Sequence, residues 1–198
     1  MFSYSDFKTI NCKFPMLKNG SWMFYHCKRL TSFNTDFPSL ETADSMFCNC
    51  ESLSKFIGKL PNLLDGTYMF TNSAIKTFKS ELPKLNCGDA MFYGCKNLKT
   101  FDTPLPMLKQ GRNMFRNCGE LKFRTPLPNL DDGNFMFNGS RLDVGGVKII
   151  TESLKDMKEL KNKERPKIDL GNIPENEKVK NYIKIAENKG WDVTYNFV

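Results

Sequence analysis

Seven cysteines and one histidine are the residues here whose types could support nucleophilic, redox or metal chemistry. Cys27, Cys50, Cys95 and Cys118 recur at equivalent places, and Ser73 and Ser140 stand at the two remaining ones. Zinc is usually held through paired spacings such as C-x2-C. The nearest approach is the C-x-C of Cys48 and Cys50. Cysteines stacked one repeat apart are close enough in principle for a disulfide. An odd count without a recognisable secretory leader favours reduced thiols instead. A position that accepts serine for cysteine reads as a small side chain facing a core. His26, the only histidine, falls at a turn position where other repeats carry Asn or Gly. It builds no Ser-His-Asp or Cys-His arrangement. The glycines recur singly rather than as a phosphate-cradling loop. The reading is therefore of no catalytic residue, no metal and no cofactor.

What positions these residues is a repeat, the first feature to look for in a chain of this kind. Met-Phe occurs at Met23, Met46, Met69, Met91, Met114 and Met136, spaced by 22 or 23 residues. Eight residues before each Met stands a proline, from Pro15 to Pro128, and two after each proline a leucine, from Leu17 to Leu130. Glycine follows at Gly20, Gly66, Gly88, Gly111 and Gly133, with Ala43 the exception. Leu30, Leu53, Ile75, Leu98, Leu121 and Leu142 come six or seven residues after Met.

In Met-Phe-x-x-Cys the apolar residues fall at i, i+1 and i+4, which predicts one turn of α- or 3₁₀-helix. Three residues after each Met stand His26, Asn49, Asn72, Gly94, Asn117 and Gly139, and Asn and Gly tolerate the left-handed backbone that ends such a turn. A stretch such as 98–103, ending near a proline, predicts a short strand. A unit this small cannot bury its own apolar face, whereas stacked units cover one another. Equivalent strands then pair in parallel into one elongated sheet. The expected class is α/β: a solenoid of about six coils over residues 1–144, with Phe33, Phe56, Phe78, Phe101 and Phe123 stacked inside.

Both ends depart from the pattern. Phe7, Ile10 and Phe14 match the Leu30, Phe33 and Phe37 columns, so the first coil reads as lacking its Met-Phe half. Either residues 1–14 improvise a cap or the array continues beyond them. After Val144 the repeat gives way to Gly145-Gly146, and residues 145–198 predict a small αβ cap. Its parts are a helix over 151–163 with Thr151 as N-cap and Leu154, Met157 and Leu160 on one face, a strand over 167–171, a helix over 175–190 with Val179, Ile183 and Ala186 buried, and a last strand over 191–198.

Hydrophobic residues make up 40% and charged residues 26%, a globular balance. No apolar run approaches the ~18 residues of a membrane span. The N-terminal residues show no basic region followed by an apolar one, which points to the cytoplasm. The net charge of +7 is spread along the chain. It raises attraction to anionic partners without forming the basic stripe of a nucleic-acid binder. Strand alternation places Lys55, Lys79, Lys122 and Arg124 outward beside the inward Phe column, against one acid, Asp102. This face is either a solvated, lysine-bearing surface or a patch for an acidic protein or a glycan.

The unit P-x-L-x-x-G-x-x-M-F-x-N-C-x-x-L-x-x-F resembles the BspA-type leucine-rich repeats of bacterial, protist and phage-encoded proteins. The ending IAENKGWDVTY is similar to tails that follow such repeats. The resemblance implies a curved solenoid used for protein interaction or adhesion rather than catalysis. The expected function is non-enzymatic binding of a macromolecular partner, for instance a phage-encoded interaction protein or an inhibitor of a host defence enzyme. The alternative is a structural virion or surface-adhesion module.

Overall fold

The computed structural model describes residues 2–159 and 164–198, and in it the repeats stack as coils of one parallel solenoid. The strands are β1 (Ser32–Phe33), β2 (Lys55–Phe56), β3 (Thr77–Phe78), β4 (Thr100–Phe101), β5 (Glu120–Phe123) and β6 (Arg141–Leu142). After them come α1 (Val144–Ser153), β7 (Lys167–Ile173), α2 (Glu177–Asn188) and β8 (Asp192–Phe197). All strand pairing is parallel, with Phe33 opposite Phe56, Phe56 opposite Phe78 and Phe101 opposite Phe123.

Two phenylalanine ladders fill the core. The rings of Phe33, Phe56, Phe78, Phe101 and Phe123 lie near-parallel with centroids 5.8–6.1 Å apart. Those of Phe24, Phe47, Phe70, Phe92, Phe115 and Phe137 stack at 5.2–5.6 Å. The ladders meet edge to face, as at Phe101 and Phe115, 4.8 Å apart. Offset stacks and edge-to-face contacts are the arrangements aromatic quadrupoles favour. Because every coil offers its ring at the same height, the coil spacing itself sets the ring spacing.

The Met-Phe segment is not the helical turn that its periodicity predicts. It is a run of β-turns, and alternate N–H groups leave the coil. Met23, Tyr25 and Cys27 donate three residues back, to Gly20, Trp22 and Phe24. Gly20, Trp22, Phe24 and His26 donate instead to Thr42, Asp44, Met46 and Cys48 of the next coil. A helix would keep all its bonds local. Stacking gives half of them a better partner, and the price is two left-handed residues per turn. One is the Asn/Gly column foreseen above, seen at Asn49 (φ 58°) and Gly94 (φ 70°). The other lies four residues earlier and accepts Trp22, Ser45, Tyr68, Ala90, Asn113 and Phe135, all with positive φ. From Trp22 to Asn113 an inter-coil N–H bond, such as Tyr68 to Asp89 O, holds residues there that would avoid this conformation in isolation.

A second parallel ladder runs beside the turns through Asn19, Thr42, Asp65, Cys87, Gln110 and Asp132. The strand ladder itself is not one sheet. It divides into β1-β2-β3 and β4-β5-β6-β7-β8. The break follows the coil with one residue fewer between turn and strand, at Ile75, yet Phe78 and Phe101 still stack at 6.1 Å. Side-chain packing therefore carries the solenoid across a gap in backbone pairing.

Both ends also differ from expectation. Phe2 donates to Met23 O as Phe24 does to Met46 O, and its ring stacks on Phe24 at 5.6 Å. The first coil therefore carries the phenylalanine of its Met-Phe half. At the other end the first cap helix spans 144–153 rather than 151–163. The Asp143 side chain caps it by accepting the Gly146 N–H at 2.8 Å. Thr151 is buried inside this helix rather than at its start, and Leu160 lies outside the described residues. Gly145-Gly146, where the repeat gives way, lies in the first turn of α1.

β7 closes the stack. It lies against Gly133 at Ile168 and against Arg141 at Asn172. One extended strand thus joins both ladders and spans the whole turn of the last coil. On its far side β8 adds a parallel edge strand. In α2, Val179, Ile183 and Ala186 are buried as their spacing predicts. Lys189 Nζ donates to the free carbonyls of Thr151 and Glu152 at the end of α1, at 3.2 and 2.6 Å.

Candidate functional site

The outward positions of the strands form two columns. Lys55 and Lys122 belong to one, with Ser32, Thr77 and Thr100. Lys79 and Arg124 belong to the other, two residues further along each strand, with Asn34, Ile57 and Asp102. All four basic residues are exposed, while the Phe between the columns is buried in each strand. Alternation on a half-buried strand therefore brings them onto one face.

Two of the four are ion-paired. Lys79 Nζ contacts both carboxylate oxygens of Asp102 at 3.1 Å, one coil away. Arg124 makes a two-pronged pair with Asp143, one bond of it at 2.8 Å. Lys55 and Lys122 have no ion-pair partner among the described residues. Sequence reasoning missed Asp143, because in sequence it looks like the residue where the repeat dissolves. Its signal is its place two residues after Arg141, which puts it beside Lys122 in register. Lys99, Arg141 and Glu120 were also missed and are exposed on this face.

Asp143 has two tasks, pairing Arg124 and capping α1. The guanidinium of Arg124 holds its carboxyl below the usual carboxylate range, helped by the Gly146 N–H and the Lys122 charge. A depressed folded-state pKa contributes stability above the unfolded pKa, and that contribution is lost as pH falls through the lower folded value. Asp143→Ala is expected to cost about 1 kcal/mol, as for loss of a helix cap. Denaturation of parent and variant at neutral pH checks this, and the gap between them should close in acid.

The cysteine column is structural. Cys27, Cys50, Cys95 and Cys118 donate their thiols to the carbonyls of Phe2, Phe24, Phe70 and Phe92, each one coil back, at 3.0–3.1 Å. Ser140 Oγ makes the same bond to Phe115 O at 2.6 Å, whereas Ser73 Oγ lies 3.4 Å from Cys95 Sγ. Burial pushes the Cys95 thiol up to about 12 and Cys48 to about 11. Burial also raises Cys50 and Cys118. These thiols stay protonated and are poor nucleophiles. Cys12 is exposed, Cys87 is half-buried and the remaining five are buried. A thiol reagent on the native protein should label Cys12 quickly and Cys87 slowly, and the others only after denaturation. Rapid native labelling of Cys95 would contradict the burial argument.

His26 is half-buried rather than an open turn residue. Its Nε2 lies 3.0 Å from Asn49 Nδ2, and Asn72 Nδ2 in turn donates to Asn49 Oδ1 at 3.0 Å. Its ring also stacks on Tyr4. It is the first member of a side-chain ladder along the turns. Among the described residues, no three His, Cys, Asp or Glu side chains are grouped to hold a metal ion. None of the described helices is long and apolar enough to cross a membrane.

The sequence matches a model for the BspA type leucine rich repeat region, in six copies over residues 1–82 and 43–143. The chain belongs to the BspA-type leucine-rich repeat family. No curated protein and no solved structure matches it. BspA-type repeats are generally non-enzymatic modules of protein interaction or of surfaces. In this BspA-type array the residues that vary from coil to coil on the strand face are those free to encode recognition.

Proposed function

We propose that this protein is a non-enzymatic binding module that presents its strand face to an acidic protein partner, with Lys55, Lys79, Lys122 and Arg124 as contact residues. The observation that carries the reading is the exposure of all four on one face of a rigid stacked core. Family membership and a net charge of +7 support it. Such charges act mainly through association rate and give salt-sensitive binding. Lys79 and Arg124 would exchange their internal carboxylates for the partner's, whereas Lys55 and Lys122 need no exchange.

The reading extends to an interaction protein of the cytoplasm, of the kind a phage directs at a host defence enzyme. The resemblance to repeats of bacterial surface proteins supports the alternative, an adhesion or virion module taking a host protein or glycan. A symmetric oligomer or co-purification with particles favours the alternative, and a monomer bound to one protein favours the first.

The test combines Lys55→Glu, Lys79→Gln, Lys122→Gln and Arg124→Gln. Glutamine at 79, 122 and 124 avoids a new carboxylate against Asp102 or Asp143. Exposed charges contribute little stability, so the melting temperature should change little. Affinity for a partner captured by the parent should fall about tenfold or more, or about 1.4 kcal/mol. Undiminished binding by the folded variant would leave the strand face as a solvated surface.

A further inference from the structure

The strand face is not uniform. At its cap end lies a pocket of about 370 Å³. Lys99, Lys122 and Arg141 line it from three successive coils, together with Glu120, Asp143 and Pro174. It exists because of the cap. Asn172 of β7 pairs with Arg141 of β6, so the chain leaving β7 brings Pro174 level with Asp143 and gives the face a wall. The sequence-level reading of the face ended at Lys122 and Arg124 and had no view of this wall.

Three cations and two acids line the pocket, but the acids are unequal to the cations. The Asp143 carboxylate is occupied by Arg124, which lies outside the lining, and by the Gly146 N–H. Glu120 approaches Arg141 only to 3.9 Å, beyond hydrogen-bond distance. Neither Lys99 nor Lys122 has an ion-pair partner among the described residues. Leu121 and Leu142 underlie the site and are buried, so its position is fixed by the core rather than by a loop.

We propose that this pocket is the focal subsite of the strand face and receives the carboxylate of an Asp or Glu side chain from an extended segment of a protein partner. This rests on the strand-face reading above and names its point of anchorage. A single negative charge fits the site. Glu120 in the lining opposes a doubly charged phosphate, while Lys99, Lys122 and Arg141 offer N–H donors suited to a carboxylate. The volume is that of a small recognition pocket, able to take one side chain and its neighbours. Arg141 releases only a loose contact with Glu120 to do so.

Titration of the full ¹⁵N-labelled chain tests this, with acetyl-(Gly-Glu)₃-amide as probe and acetyl-(Gly-Gln)₃-amide and inorganic phosphate as comparators. The expected result is saturable shifts, with the glutamate peptide alone, that are largest at the amides of Thr100, Lys122 and Arg141. A Lys99→Gln/Arg141→Gln variant should weaken that binding about fivefold or more while melting like the parent. Shifts that spread over Lys55, Lys79 and Arg124 with no preference for the pocket would overturn the subsite and leave the strand-face reading standing. The absence of shifts anywhere on the face would count against both. An equal response to the glutamine peptide, or a stronger one to phosphate, would show that the pocket does not select a carboxylate.

Discussion

Phe101→Ala is expected to lower stability by about 3–5 kcal/mol, the range for truncating a buried aromatic side chain. Phe101 is fully buried in a central coil. Its ring lies between Phe78 at 6.1 Å and Phe123 at 5.8 Å, and edge-on to Phe92 at 5.5 Å and Phe115 at 4.8 Å. Four rings therefore lose a neighbour at once. The ladders cannot close over the gap, because coil spacing is held by backbone bonds on the turn side, such as Phe92 N–H to Met114 O at 2.9 Å. Phe101 also sits beside the interruption between β3 and β4, where side-chain stacking stands in for strand pairing. The measurement is a denaturation midpoint with its slope. Met107→Ala is the comparison: Met107 is 48% exposed, and the change should stay within about 0.5 kcal/mol. A midpoint for Phe101→Ala equal to the parent's would remove the phenylalanine ladder from the account of stability.

Gly171→Ala should have the second large effect, and its cause is steric. Gly171 lies in β7 at φ 65°, where the register with β8 shifts. A left-handed backbone costs an L-residue roughly 1–2 kcal/mol. An added Cβ would also lie well inside contact with the carbonyl oxygens of Phe137 and Ser140, which are backbone atoms of the last turn and cannot move aside. β7 would have to leave the turn it covers. The expected loss is about 3 kcal/mol or more, among the larger values for single substitutions. It should be local: hydrogen exchange should quicken in β7 and β8 while the coils around Phe56 keep their protection. Gly119→Ala separates sterics from backbone preference. Gly119 has φ 74° but its nearest new neighbour would be Lys96 O at 3.8 Å, so about 1 kcal/mol is expected. If the two substitutions cost the same, the clash at the cap is not what makes glycine necessary there.

The solenoid was legible because its signal is repeated. The Pro, Leu, Gly and Met-Phe columns recur at constant offsets and the second Leu column within one residue, and a column that persists through the coils reports a shared environment. Burial of the strand Phe residues and exposure of Lys55, Lys79, Lys122 and Arg124 followed from alternation alone. The Met-Phe turn was misread because i, i+1, i+4 spacing describes which side chains face inward, not where the N–H groups go. The cap was read from one copy. Its second helix, with a strong apolar face, came out correctly. Its first helix was displaced, because the Asp143 cap starts it through Gly145-Gly146, two residues of low helix propensity.

By itself, then, the sequence determined the parallel solenoid, its coil boundaries, its aromatic core and the face on which its basic residues emerge. All of these depend on periodicity, which each coil carries locally. Only the tertiary structure decided the destination of each turn's hydrogen bonds, the gap between β3 and β4, the neutralisation of Lys79 and Arg124 by Asp102 and Asp143, and the pocket bounded by Pro174. These depend on pairs one coil or more apart, or on the single junction between array and cap. Their geometry comes from stacking, and no residue's own type or spacing encodes it.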